Sequence, residues 1–343
     1  MGAKLDQLRW SSAQAGVTLS LASSAWLLSG LTPSPLINAL LPALTTAPAL
    51  LPIRRRARGL FLIVLSTAVL VLICSPWANP LPPSLAITAV LLASHTIALG
   101  QDISQLPLQL RLLRVPNLKF QQLRRGTELG ALAGFSLTGL IHPGVHQFIP
   151  AALLLVPLLP TAFPSEDQSQ AAITLPAFNI TAALQGLIFG GFFGLLPLWV
   201  RSIAEGNCFN FGVVLAAYGI GRTLCTTPSR RSGWALYGPI AGLLIAGQFL
   251  PGWATSLLFI PIGCLAAATD RQIVQHLTPL DPAQGWQILQ RSGAIGGLIG
   301  VLAMGVIAQS IGLPRALLVQ LGLFITAPIL LRYSRQHSAA PRH

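Results

Sequence analysis

The sequence predicts an all-α integral membrane protein with about twelve transmembrane helices in two parallel six-helix repeats. Composition, the alternation of basic residues along the chain and an internal repeat lead to this prediction. Of 343 residues, 53% are hydrophobic and 8% are charged, whereas roughly 25% of the residues in a soluble domain are charged. Each membrane-spanning helix uses about 20 apolar residues. Twelve of them leave no room for a soluble catalytic domain, so we expect no enzyme activity and no cofactor or metal.

Apolar stretches follow one another along the whole chain. They lie at 15–31, 34–52, 60–76, 83–99, 127–141, 144–163, 178–199, 209–226, 234–250, 253–269, 292–311 and 313–331. The first is interpreted as a retained helix and not as a cleaved signal peptide, because further spans follow immediately. The predicted domains are an N-terminal half (1–163), a short central cytoplasmic linker (164–172) and a C-terminal half (173–343).

Basic residues alternate between the two sides of these spans. If the segments between spans are numbered inside and outside in turn, 19 of the 21 Lys and Arg residues fall inside, and only Arg201 and Arg315 fall outside. This is the positive-inside pattern. It predicts an inner (plasma) membrane protein with both termini in the cytoplasm. The net charge of +13 is therefore a topology signal. It should attract anionic lipids to the cytoplasmic face. Nucleic-acid binding is not expected, because the basic residues are not interleaved with aromatic residues that could stack on bases.

An internal repeat relates residues 116–141 to residues 282–307, with nine identities in 26 ungapped positions. The offset makes the fifth span recur as the eleventh in the same direction, which predicts parallel halves related about the membrane normal. Each copy contains a GxxxG spacing, which allows close helix packing. The predicted packing residues are Gly130, Gly134, Gly296 and Gly300.

Three passages resemble the major facilitator superfamily, in particular the exporter branch that includes enterobactin exporters and drug-efflux proteins. They read ASSAWLLSGLTPSPL (22–36), LLPLWVRSIAEGNCFNFGVVLAAYGIG (195–221) and LQRSGAIGGLIG (289–300). The resemblance covers nearly the whole chain. It implies a secondary transporter, here an exporter of a small or amphipathic solute of unknown identity, and a monomer is expected.

The resemblance also implies a central cavity between the first, fourth, seventh and tenth helices. Polar or aromatic side chains on those helices are the candidates for contact with a solute. They are Trp26, Thr88, His95, Asn179, Gln185 and Ser256.

One departure from the family concerns the segment Pro48–Gly59. The superfamily signature between the second and third helices contains an Asp that latches the cytoplasmic gate, and this segment has none. Its basic residues remain as gating candidates together with two arginines of the repeated helices: Arg54, Arg55, Arg56, Arg125 and Arg291. The missing Asp favours an alternative function, a transport-incompetent membrane scaffold or assembly factor of the same fold.

Glu128 is the only acid inside a predicted span, since Asp270 lies just past the end of the tenth. Carboxylates at membrane depth are candidates for proton coupling. The other hypothesis is that Glu128 lies at the cytoplasmic interface and pairs with Arg125, three residues earlier on the same helix face. The sequence leaves both hypotheses open.

Overall fold

The computed structural model describes residues 2–46, 82–113, 120–141, 178–225, 233–277 and 282–338. Within these residues the chain forms ten α-helices and one short 3-10 turn. In chain order the helices are α1 (Gly2–Leu31), α2 (Pro35–Thr46), α3 (Pro83–Leu113), α4 (Phe120–Ile141), α5 (Ile180–Ser202), α6 (Cys208–Leu224), α7 (Tyr237–Gly247), α8 (Gly252–Leu277), α9 (Pro282–Ile311) and α10 (Leu313–Ser338). We call α1–α4 the N-terminal helices and α5–α10 the C-terminal helices.

Local sequence explains where several helices begin. Pro35, Pro83 and Pro282 are the first residues of α2, α3 and α9, positions at which the missing amide proton costs nothing. Asn179 caps α5, because its side chain accepts a hydrogen bond from the Ala182 amide at 2.9 Å. Such caps satisfy an amide that the first helical turn leaves unpaired.

The helices follow the predicted spans in the described part of the chain. Four stretches are long and apolar enough to cross a membrane, which agrees with a multi-pass membrane protein: Ile180–Ser202, Gly252–Ile273, Gln287–Ile311 and Leu313–Leu331. The predicted spans 60–76 and 144–163 and the linker 164–172 lie outside the described residues. The count of twelve and the division into two halves therefore stay predictions.

Several helices extend beyond the predicted spans at one end, and α3 and α7 show the two kinds of difference. The fourth span was predicted to end at 99, but α3 continues to Leu113 over 31 residues, about 46 Å at 1.5 Å per residue. The prediction took the end of the apolar run as the end of the helix. Polar residues do not by themselves end a helix, so α3 continues past that point. In contrast, α7 has only 11 residues, after the 3-10 turn Gly233–Leu236, and is shorter than the predicted span 234–250.

Glycines of the repeated helices lie against the backbone of a partner helix. A Cβ at Gly130 or Gly134 would collide with the backbone of α1, at Ser11 and Ala15. A Cβ at Gly296 or Gly300 would collide with the backbone of α5, at Ala183 and Leu187. Both copies of the repeat thus use their GxxxG positions to approach another helix closely, α4 against α1 and α9 against α5.

The third glycine of each copy lies where N-terminal and C-terminal helices meet. Gly139 of α4 faces Gly212 of α6, and the Cα of Gly139 blocks the place where a Gly212 Cβ would be. Gly305 of α9 faces Ala39 of α2, whose Cβ would be 2.5 Å from a Cβ at Gly305. These two contacts, α4 with α6 and α9 with α2, bring the two sets of helices together.

Candidate functional site

Four charged side chains meet between the N-terminal and C-terminal helices. On α4, Arg124 Nε is 3.0 Å from Glu128 Oε1. The Nη2 atom of the same arginine is 2.9 Å from Asp270 Oδ2 on α8. Arg222 near the end of α6 donates to Asp270 Oδ2 as well, and its Nη2 atom is 3.5 Å from Glu128 Oε1. Each arginine therefore contacts both carboxylates.

Uncharged groups complete the arrangement. Gln185 of α5 donates through Nε2 to Asp270 Oδ1 and to Thr269 Oγ1, the latter at 2.9 Å. Arg222 Nη1 donates to the Tyr218 hydroxyl at 3.2 Å. We call Arg124, Glu128, Gln185, Arg222 and Asp270 the inner cluster, because it lies at the end of the helices that the charge distribution predicts to be cytoplasmic.

The inner cluster is buried and its formal charges cancel. The side chains of Glu128 and Arg124 are 9% and 11% exposed, and those of Asp270 and Arg222 are 22% and 23% exposed. Two cations and two anions balance, which offsets part of the cost of removing them from water. Removal of one member would leave an unpaired charge. Among the described residues Arg124 Nη1 has no hydrogen-bond partner, so this donor of the cluster is not used by them.

The predicted partner of Glu128 is wrong. Glu128 pairs with Arg124 and Arg222, whereas Arg125 is exposed on α4. Spacings of three and four residues both place side chains next to each other on a helix, and the rotation of α4 against α1 and α6 decides which arginine points inwards. Asp270 does not lie beyond its helix either, because α8 continues to Leu277.

A second polar contact joins α5 to α1. Arg201 Nε donates to Ser29 Oγ at 3.0 Å, and its Nη2 donates to the Trp26 carbonyl oxygen at 3.0 Å. The guanidinium carbon is 4.1 Å from the centroid of the Trp26 ring, a cation–π geometry. Trp26 is buried and stacks on Phe211 of α6, with ring centroids 5.4 Å apart. We call Arg201, Trp26 and Ser29 the outer contact.

The inner cluster and the outer contact lie at opposite ends of α5. Gln185 is near the start of α5 and Arg201 is in its last turn. Gln185 and Arg201 are 16 positions apart, which corresponds to about 24 Å along a helix, most of the roughly 30 Å of a bilayer core. A further contact at the outer end joins Ser34 Oγ to Gln309 Oε1 of α9 at 2.8 Å. Polar contacts therefore join N-terminal to C-terminal helices at both ends.

The predicted cavity residues have different environments. Trp26 belongs to the outer contact and Gln185 to the inner cluster. Asn179 caps α5, and its backbone amide donates to Ser292 Oγ of α9 at 2.9 Å. Hydroxyl groups of the next two candidates bond to their own helices, Thr88 to Ser84 and buried Ser256 to Gly252. His95 is exposed on α3.

Of the predicted gating residues, Arg291 is half-buried on α9 and Arg125 is exposed on α4. Arg54, Arg55 and Arg56, with the whole segment Pro48–Gly59, lie outside the described residues.

The sequence reasoning missed Arg124, Arg222, Asp270 and Arg201 as site residues. For Arg201 a signal was present, since it is one of only two basic residues on the predicted external side. For Arg124 and Arg222 there was none, because they stand at the ends of apolar runs where basic residues are common. For Asp270 a signal was present, since it is one of only 8 acids in the chain and stands at the end of an apolar run. Among the described residues, no group of three or more His, Cys, Asp or Glu side chains is placed to hold a metal ion.

The sequence matches no described protein family and no curated protein sequence. Solved structures are similar to the chain over nearly its whole length. A mutant form of the nucleoside transporter NupG has a TM-score of 0.60 at 16% identity, covering 96% of this chain and 99% of that one. Another NupG structure has a TM-score of 0.55 at 13% identity, covering 97% and 99%.

The human organic anion transporter MFSD10 (TETRAN) has a TM-score of 0.53 at 13% identity, covering 95% of this chain and 99% of that one. At these identities the likeness concerns the fold. The chain shares the helical fold of these transporter structures.

Proposed function

We propose that this chain is a secondary transporter that works by alternating access and exports a small or amphipathic solute. The observation that carries the proposal is that polar contacts join the N-terminal to the C-terminal helices at both ends of α5. A carrier must open one end while the other stays closed. In this reading the inner cluster closes the cytoplasmic end and the outer contact closes the external end.

The chemistry of these contacts suits repeated opening. Each donor and acceptor of the inner cluster can exchange its partner for water when the end hydrates, so the net cost of opening is far smaller than the gross attraction. The glycine contacts of α5 with α9 and of α1 with α4 are different, because backbones in close contact have no such substitute. These helix pairs are expected to move as units and to pivot at the close contacts of α4 with α6 and of α9 with α2, while the polar contacts at the two ends break and re-form.

Two buried polar atoms on α1 and α5 are candidates for solute binding. Ser23 Oγ and Trp199 Nε1 are buried and find no hydrogen-bond partner within the described ranges, and such atoms are uncommon in folded proteins. The Trp199 ring approaches the Phe259 ring, with ring centroids 6.4 Å apart. A solute with hydrogen-bonding groups on an apolar body matches this combination.

An ion gradient is the expected source of energy, because the sequence contains no nucleotide-binding loop. Glu128 and Asp270 are the acids of the inner cluster. Protonation of either would remove an attraction to both Arg124 and Arg222, and so would favour an open cytoplasmic end. Proton coupling is therefore proposed to act through the inner cluster.

The decisive experiment measures uptake into inverted membrane vesicles, with and without a proton gradient. The panel contains nucleosides, organic anions and amphipathic cations, because the similar structures are named as nucleoside and organic anion transporters. Gradient-dependent uptake of any member supports the proposal.

A matched test locks one end. Ser34 and Gln309 have side chains in contact, so Ser34→Cys and Gln309→Cys are introduced together into a cysteine-free background. A short bismaleimide joins the two thiols, and each single-cysteine variant is the control. Uptake should stop after the reagent is added to the double-cysteine variant, and it should continue after the same treatment of each single-cysteine variant.

The alternative function is a transport-incompetent scaffold or assembly factor, favoured by the missing Asp in Pro48–Gly59. This alternative would be supported if the folded protein transports no compound of the panel, with or without the proton gradient and with or without the cross-link.

A further inference from the structure

Arg201 carries a positive charge that no acid balances in the described part of the chain. Its hydrogen-bond acceptors are a hydroxyl group and a backbone carbonyl, Ser29 Oγ and the Trp26 oxygen. No carboxylate lies within ion-pair distance of it among the described residues. Glu205, the nearest acid in the sequence, is exposed. The two arginines of the inner cluster, in contrast, each have two carboxylate partners.

The guanidinium also has a donor to spare. Nε and Nη2 make the hydrogen bonds of the outer contact, and Nη1 has no acceptor among the described residues. Arg201 is only half-buried, so this nitrogen is within reach of a molecule at the predicted external end. A guanidinium presents its donors in a planar fork that matches carboxylate and phosphate groups.

The neighbouring helix leaves room for this guanidinium. A Cβ at Gly30 of α1 would be 3.1 Å from Arg201 Cζ and 3.1 Å from Arg201 Nη1. Gly30 therefore accommodates the charged end of the side chain above the Trp26 ring. The guanidinium is held by the ring, by the hydroxyl and by the carbonyl, which fixes its direction without neutralising it.

We propose that Arg201 is a recognition site for an anionic group, a carboxylate, sulfonate or phosphate, at the predicted external end of the transport pathway. The proposal deepens the proposed function, on which it rests, because it names the chemical class of the molecule that this end accepts. Charge-assisted hydrogen bonds are roughly twice as strong as neutral ones. An anion therefore competes for Arg201 with Ser29 and the Trp26 carbonyl, and its binding favours release of α5 from α1.

The anionic group has two possible sources, a water-soluble organic anion or an anionic lipid headgroup, and the test separates them. The full chain is placed in nanodiscs of phosphatidylcholine alone and treated with phenylglyoxal, which modifies guanidinium groups. Modification of Arg201 and Arg315 is followed by peptide mass spectrometry with benzoate, with benzamide or with neither. Arg315 is exposed and is the other basic residue on the predicted external side, so it is the internal control.

Benzoate should slow the modification of Arg201, benzamide should not, and Arg315 should react equally in all samples. At a benzoate concentration about ten times its dissociation constant, roughly one site in eleven is free, so the rate at Arg201 should fall about tenfold. In a second set of nanodiscs that contain phosphatidylglycerol, protection without benzoate assigns the site to a lipid headgroup. Equal reactivity of Arg201 in every sample of both sets overturns the proposal.

A second measurement does not depend on the reactivity of Arg201. Benzoate should raise the thermal unfolding midpoint of the unmodified chain and of Arg315→Gln, but not of Arg201→Gln, and benzamide should raise none of them. If Arg201→Gln responds to benzoate like Arg315→Gln, the anion binds elsewhere and the proposal is wrong. Both readouts report binding only. A chain that transports nothing but protects Arg201 refutes the proposed function alone, and a transporter with an unprotected Arg201 refutes the anion site alone.

Discussion

Arg124 on α4 and Asp270 on α8 form an ion pair at 2.9 Å, although they are 146 residues apart in the chain. The pair connects an N-terminal helix with a C-terminal helix, and Asp270 shares its carboxylate with Arg222 and Gln185 at the same time. Four helices thus meet at one side chain. Asp270 is therefore the acceptor on which the closed arrangement of this end depends most.

Replacement of Asp270 by Asn should destabilise the closed arrangement, because Arg124 and Arg222 would face Glu128 alone. The loss should be about 2–4 kcal/mol in the free energy of unfolding, below the full cost of breaking a deeply buried ion pair, because the Asp270 side chain is 22% exposed. Thermal unfolding in detergent measures it. Under the proposed function, a cysteine introduced at the cytoplasmic end should also react faster with a water-soluble thiol reagent in this variant.

Asp6→Asn is the matched control for that variant. Asp6 pairs with Arg9 at 3.6 Å, three residues further along α1, so this ion pair lies within one helix and does not join two. Its replacement should therefore cost less than about 1 kcal/mol. Equal effects of the two variants would contradict the central position of Asp270.

The identity of the Glu128 partner can be tested with a double-mutant cycle. Arg124→Gln and Glu128→Gln should couple by about 1–3 kcal/mol, as residues of one ion-pair network do. Arg125→Gln should change the free energy of unfolding by no more than about 0.5 kcal/mol and should not couple to Glu128→Gln. Chemical denaturation of all single and double variants gives the values. Coupling to Arg125 with none to Arg124 would restore the pairing predicted from the sequence.

Two glycines of α9 should respond to alanine with opposite signs. In Gly300→Ala the new methyl group would collide with the Leu187 backbone of α5, and overpacking of this kind costs about 1–3 kcal/mol. In Gly293→Ala nothing lies within 4 Å of the new methyl group, and alanine favours the helix by up to about 1 kcal/mol. Thermal midpoints in detergent should therefore fall for Gly300→Ala and hold or rise for Gly293→Ala. Similar shifts for both would mean that α9 and α5 do not pack closely.

The predicted topology follows from the placement of 19 basic residues inside and two outside. Reporter fusions at Leu81, Pro143 and Gly252 should report the external side, since basic residues retain their loops in the cytoplasm. Fusions at Arg56, Arg231 and His343 should report the cytoplasm. An external report at His343 would make the number of spans odd and exclude two six-helix halves.

The two polar contacts differ in how far the sequence could have revealed them. Arg201 stands out, because a basic residue on the predicted external side runs against the charge pattern of the whole chain. Arg222 does not, because an arginine after an apolar run is what the positive-inside pattern predicts anyway. A topology signal and a buried ion pair look the same in one sequence. Only the contact with Asp270 separates them.

The sequence by itself predicted a multi-pass membrane protein, which agrees with the apolar helices of the described residues, and it predicted the directions of those helices. Lipid solvation requires long apolar runs with few charges, and insertion places basic residues on one side, so both features can be counted along the chain. The GxxxG spacings also indicated close helix contacts, because only glycine lets backbones approach that far. These properties depend on composition and local spacing alone.

The tertiary structure decided which side chains meet. Arg124 and Arg125 are neighbours in the sequence with the same charge, and the rotation of α4 buries one and exposes the other. That rotation is the result of packing against α1 and α6 together. Contacts between helices far apart in the chain determine the partners of Glu128 and the central position of Asp270. They also place the Arg201 guanidinium over the Trp26 ring. No local pattern encodes such contacts, because they depend on how several helices fill space at once.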